Sequence, residues 1–161
     1  MGVYTFTIID ETSPVAASRL YKALCLDNHN VFPKVVPHVI KSIDFVEGDS
    51  TTVGCVKQFN FAEGSPHKYM KTRVDELDVD KYYVKYTNFE GDVLGNELEC
   101  IVYESNIEST GSGSHYKMMG YFHTRGDIVC TDSDTKMGIQ GMLMSYKAIE
   151  EYLCNNPQVY A

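Results

Sequence analysis

Twelve tyrosines and no tryptophan make the phenol hydroxyl the most abundant chemical group that this chain can place inside a fold. A buried tyrosine needs a partner for its hydroxyl, so several facing one interior suit a ligand's oxygen atoms or trapped water. The five histidines are His29, His38, His67, His115 and His123. None shows H-x-x-x-H or H-E-x-x-H spacing, which argues against a metal centre. The five cysteines, Cys25, Cys55, Cys100, Cys130 and Cys154, are odd in number, widely spaced and free of C-x-x-C, so neither a disulfide framework nor a zinc knuckle is expected. Glu150 and Tyr152 sit two residues apart on a helical segment and therefore point about 200° apart.

Elements must hold these groups. The first is a strand, Val3–Ile9, dense in β-branched and aromatic residues. Ser13-Pro14 then offers a helix N-cap with proline at the first helical position. A helix ending at DNHN follows, and a second, short one from Asn30 is hemmed in by Pro33 and Pro37. From Val39 the period becomes two, and six strands are expected: Val39–Glu47, Gly54–Ala62, His67–Leu77, Tyr82–Glu90, Leu98–Ser109 and His115–Thr124. Short turns between them imply an antiparallel meander. The last segment, Ser133 to Cys154, has a 3.6-residue period and stops at Asn155-Asn156-Pro157.

This order describes an α+β fold in which a twisted seven-stranded sheet wraps a long C-terminal helix. Gly138, Gly141, Met142, Ser145 and Ile149 fall on one helical face. Strand parity turns Ile101, Tyr103, Ser105 and Ile107 inward, and likewise Tyr116, Met118, Gly120 and Phe122. Small and hydroxyl-bearing residues on facing positions favour a hollow, partly polar interior over a tight helix-to-sheet approach.

The 161 residues carry 14 Lys and Arg against 22 Asp and Glu, a net charge of −8. Such a surface repels a polyanion, so nucleic acid is not an expected partner. One domain, residues 1–161, accounts for the length. No signal-peptide pattern and no 18-residue apolar run occur, so the chain reads as cytoplasmic, with nuclear entry also open, and without a membrane partner.

MGVYTF, RLYKALCLDNHNVFPKVVPHVIKS, VEGD, FEGDVLGNELE, YFHTRGD and AIEEYLCNNPQVY together resemble the plant pathogenesis-related class 10 proteins, the birch-pollen-allergen family. The resemblance runs essentially end to end. It implies the helix-grip fold with a large cavity, and a defence-related binder or carrier of flavonoids, hormones such as abscisic acid, or alkaloid-like amphipathic molecules. It implies no cofactor, a monomer or weak dimer and, by analogy with related hormone receptors, a protein phosphatase as a partner. Strand parity or the family alignment aims Tyr69, Tyr86, Tyr103 and Tyr116 inward. Lys57 matches a lysine at one cavity end and His67 an aromatic at the mouth. Leu24, Asn30, Phe32, Phe59, Phe61, Met118, Gly138, Gly141, Met142 and Ser145 complete the expected lining.

The chain departs from the family in two places. Its loop Gly48-Asp49-Ser50-Thr51-Thr52-Val53-Gly54 lacks the paired central glycines, and its long helix has methionines and glycines where lysines are usual. The alternative function is an isomerase or cyclase of specialised metabolism that moves protons with Tyr69, His67 or Lys57. Norcoclaurine synthases share the fold, but the positions matching their Tyr, Glu, Lys and Asp are Tyr69, Lys71, Val84 and Tyr103 here, so that chemistry is not expected. Ribonuclease action, assigned in the family to residues matching Glu99, Glu150 and Tyr152, fits still less well.

Overall fold

The computed structural model describes residues 2–161, with side chains at all of these but 132–134. Seven strands form one antiparallel sheet: β1 (Val3–Ser13), β2 (Ile40–Glu47), β3 (Val56–Phe61), β4 (Tyr69–Asp78), β5 (Tyr83–Gly91), β6 (Leu98–Thr110) and β7 (Gly113–Thr124). Their spatial order is β1-β7-β6-β5-β4-β3-β2, so β2 to β7 are the expected meander and β1 closes on the last strand. The long helix α3 spans Asp132–Asn155, and the helix-grip arrangement is the observed one.

Local pairing adjusts the strands. A register shift between Thr7 and Ile9 lets the consecutive Ile8 and Ile9 both enter the core. β1 also continues four residues past its apolar run, because Asp10 to Ser13 pair with Lys117 to Ser114 of β7. Ser13 is therefore a strand residue and not the helix cap that Ser13-Pro14 suggested. Its hydroxyl accepts the Val15 N–H at 3.1 Å, and α1 (Ala17–Tyr21) starts after Ala16 with no side-chain cap.

α1 runs into a π turn, Lys22–Leu26, closed by Asp27 N–H to the Lys22 carbonyl at 2.7 Å. The helix α2 (Asn28–Val35) follows and ends two residues after Pro33. Beyond α3 the tail folds back. Arg19 donates to the carbonyls of Leu153, Asn156 and Val159, satisfying the helix's open C-terminal end, and the Tyr160 hydroxyl donates to Asp27.

The main core gathers Leu20 and Tyr21 of α1, Ile107 and Tyr116 of the sheet, and Tyr146, Ile149 and Leu153 of α3. On α3 the core-facing row is Ile139, Met142, Tyr146, Ile149 and Leu153, at 3.6-residue spacing. It becomes fully buried only in the C-terminal half, while Met137 is 83% exposed near the start. A second, smaller core joins Ile40, Ile43 and Phe59 beneath α2, and Phe32 touches both cores.

Candidate functional site

The inner face of the sheet is defined by alternation. β3 turns Lys57, Phe59 and Phe61 toward the helices; β4 turns Met70, Thr72 and Val74; β5 turns Val84, Tyr86 and Asn88; β6 turns Ile101, Tyr103 and Ser105; β7 turns Tyr116, Met118 and Phe122. Apolar rings and polar tips thus share one surface.

The tyrosines on this face fall into two states. Tyr116 is engaged: its hydroxyl lies 3.3 Å from Ser105 Oγ and donates to Met118 Sδ at 3.5 Å, and its ring packs edge-on against Tyr146 at 5.1 Å. Tyr86 and Tyr103 stack with centroids 5.2 Å apart, and Tyr103 also meets the Phe122 ring at 6.5 Å. Among the described residues neither hydroxyl makes a hydrogen bond. Burial pushes all three phenols up, so they remain neutral donors and acceptors throughout the physiological range.

Lys57 closes one end of the face. It is 3% exposed, donates to Asn28 Oδ1 at 2.6 Å and holds its Nζ 5.3 Å from the Phe45 ring centre. Desolvation lowers its pKa to about 8, only partly offset by Cys55, Cys25 and Asp27. The loop between β2 and β3 is anchored beside it. Gly48 and Gly54 take the left-handed backbone that glycine permits, and Thr51 Oγ1 donates to the Leu26 carbonyl at 2.7 Å.

Several expected lining residues do stand on or near this surface. Leu24 is buried at the π turn, Phe32 and Phe61 are half-buried at the second core, and Met118 and Ser145 are buried. The half-buried His67 ring lies 6.2 Å from Phe61, at the edge of that core. Asn30 is exposed, and its amide donates to Asp27 at 2.7 Å instead of facing the interior.

Tyr69 needs correction. It shares a face with Lys71 and Glu90, opposite to the buried Thr72 and Val74. Its hydroxyl donates to Glu90 Oε2 at 3.0 Å, and Lys71 pairs with the same carboxylate at 3.1 Å. That bond holds its phenol above the usual range and Glu90 below its own. The packing of the helix glycines is corrected too, although Gly138 stands only about 20° round α3 from the buried Ile149. Gly141 lies roughly 140° round α3 from Tyr146. Both Gly138 and Gly141 are exposed, and a Cβ on either would meet nothing within 4 Å. Met142 alone of those three is packed against the core.

The enzyme-like constellations come apart in the same geometry. Tyr69 and Lys71 are on the outer face, whereas Val84 and Tyr103 are on the inner one, so the four positions form no common site. Glu99 is exposed, Glu150 accepts from Tyr146 at 2.9 Å, and Tyr152 lies under Lys34 at 5.5 Å. The outer face has its own groove of about 340 Å³ between Tyr83, Glu104, Glu108, His115, Lys117 and Met119. Three of those groups are already committed, since Tyr83 donates to Glu104 at 2.7 Å and His115 pairs with Asp10 at 2.6 Å.

Two inner-face residues escaped the sequence reading. Asn88 is fully buried, its amide donates to Met70 Sδ at 3.5 Å, and among the described residues its Oδ1 has no partner. The signal was parity, because Asn88 is two residues beyond Tyr86 on an apolar strand face. Asn28 left no such signal, since its bond to Lys57 depends on how α2 docks.

Comparison with known proteins agrees with this architecture. The model of the pathogenesis-related protein Bet v 1 family matches residues 3–156. Pathogenesis-related protein STH-21 of Solanum tuberosum is 42% identical over 162 residues, covering all of both chains. Major allergen Mal d 1 of Malus domestica is 39% identical over 99% of each chain. The crystal structure of Ara h 8.0201 superposes with a TM-score of 0.85 at 32% identity, covering 96% of this chain and 99% of that one. Norcoclaurine synthase from Thalictrum flavum, in complex with dopamine and hydroxybenzaldehyde, shares the fold at a TM-score of 0.71 and 14% identity, over 96% of this chain and 88% of that one. The full-length match and the shared helix-grip sheet place the chain in the pathogenesis-related protein Bet v 1 family.

Proposed function

We propose that this protein binds and carries amphipathic aromatic small molecules between the inner face of its sheet and its helices. The observation that carries the reading is the stacked pair Tyr86 and Tyr103, two neutral hydroxyls on an apolar surface with no hydrogen-bond partner among the described residues. Among the described residues the buried side-chain atoms left without a partner are His29 Nδ1 and Asn88 Oδ1, not these two oxygens, so a ligand oxygen placed there competes with water for a bond worth roughly 0.5–1.5 kcal/mol. Flat rings suit the neighbouring Phe122, and Met118 and Met142 supply adaptable apolar surface.

A passive carrier fits better than a catalyst, because the residues aligned with the norcoclaurine synthase set are divided between two faces. Family membership supports a defence-related role and a cytosolic location. Among the described residues no helix is long and apolar enough to cross a membrane. The test is saturable binding of an environment-sensitive naphthalene dye, followed by its displacement with flavonoids, abscisic acid and alkaloid precursors. One-site binding with displacement by at least one class is expected. Dye that fails to saturate, or a precursor converted to a new product, would overturn the carrier reading.

A further inference from the structure

Lys57 is a buried amine that the Asp27 carboxylate and the Cys25 and Cys55 thiols reach only through space, with His29 also nearby. Among the described residues it makes no salt bridge, and its hydrogen bond is to a neutral amide, Asn28 Oδ1. One side is covered by the Phe45 ring, and the next inward residue on its strand is Phe59. An ammonium in such surroundings is disfavoured unless it is paired, so the neutral amine gains. A desolvated lysine of this kind is the usual nucleophile toward carbonyl groups.

We propose that Lys57 captures aldehydes covalently and reversibly, as an imine formed on its Nζ beside Asn28 and Phe45. The amine lone pair forms a bond to the carbonyl carbon while the carbonyl oxygen takes up a proton. The resulting carbinolamine loses its hydroxyl, with the second nitrogen proton, as water, leaving a C=N bond. Hydrolysis reverses each step, and no oxidant or reductant is needed. Asn28 Oδ1 accepts an N–H of the amine and so directs the lone pair away from itself. Phe45 and Phe59 favour an aromatic aldehyde over a small hydrated one.

The protonation states of Lys57 itself and of its neighbour Cys25 make the amine the reacting group. With its pKa near 8, roughly one Lys57 in five is neutral at pH 7.4, against roughly one in a thousand for an ordinary lysine. The neighbouring Cys25 thiol is pushed up to about 12 by burial, so it offers almost no thiolate in competition.

This inference rests on the proposed interior binding site, and its test keeps the two separable. The protein is incubated with one equivalent of benzaldehyde and sodium cyanoborohydride, digested, and mapped by mass spectrometry. A single benzyl adduct on the Lys57 peptide is expected, at least tenfold over the exposed Lys68, Lys117 and Lys147. The imine itself, followed by its ultraviolet absorbance before any reductant is added, should rise with pH through a midpoint near 8. Lys57→Arg, which keeps the charge and a donor toward Asn28, should lose the adduct. If that variant does not fold, the peptide map of the native protein decides alone. Benzyl groups spread evenly over the exposed lysines would overturn the inference. Should the naphthalene dye still bind then, the carrier reading stands and only the covalent step fails. Should the dye not bind while Lys57 is labelled, the reverse holds.

Discussion

The two faces of the sheet use the same side chain for different ends. On the outer face Tyr69 donates to Glu90, and Tyr83 and Tyr121 both reach Glu104. Each of those phenols ties neighbouring strands through a carboxylate. On the inner face Tyr86 and Tyr103 pack ring against ring, and among the described residues their hydroxyls make no hydrogen bond. Tyr116 stands between these cases, satisfied by Ser105 and by Met118 sulfur. A tyrosine in this fold is therefore a strand tie or a recognition group according to the parity of its position. Residue type alone does not distinguish them.

The comparison is broken most severely by removing what closes the inner face. Ile149 is fully buried where α3 packs on the core. Ile149→Ala should cost about 2–5 kcal/mol in urea denaturation, through lost transfer energy and the cavity left behind. A loss below about 1 kcal/mol would show that α3 does not seal the sheet as described.

Protonation of Lys57 is next in size. Its pKa near 8 in the fold lies below the ordinary 10.5 of the unfolded chain, so the unfolded chain binds the proton more tightly. Folding is penalised below pH 8, and the penalty fades as pH rises toward 10.5. Native stability relative to Lys57→Met should therefore rise between pH 8 and 10, by about 2 kcal/mol. Parallel stability curves for the two proteins would show that the inner end is wetter than its burial implies.

The smallest effect belongs to the outer face. Tyr83→Phe removes a half-exposed bond to Glu104 and should lower stability by about 0.5–1 kcal/mol, leaving dye affinity unchanged. Altered affinity would mean that the outer groove, and not the interior, holds the ligand.

Much of this division was legible in the sequence. Period-two alternation located all six meander strands, and the 3.6-residue period located α3. Tyr103, Tyr116 and Met118 were aimed correctly by parity. Tyr69 was misdirected by alignment, although it stands an odd number of steps from Val74 and so faces away from it. Gly138 and Gly141 misled because both stand in the half of α3 that is less buried than its C-terminal half. The row Ile139, Tyr146, Ile149 and Leu153 marks the buried side of α3 more strongly. The end of β1 was illegible locally, since Asp10 to Ser13 gain strand character only from pairing with β7. The Asn28–Lys57 contact likewise exists only once α2 is docked.

The central claim is tested most directly by a paired titration. The inner double variant Tyr86→Phe with Tyr103→Phe and the outer double variant Tyr69→Phe with Tyr83→Phe are each titrated with the same dye-displacing aromatic ligand. Two hydrogen bonds at roughly 0.5–1.5 kcal/mol each predict an affinity loss of about fivefold or more for the inner pair. Thermal stability of the inner pair should stay near that of the native protein, and the outer pair should bind as the native protein does. Equal affinity in the two double variants, or the larger loss from the outer pair, would contradict the assignment of ligand binding to the inner face.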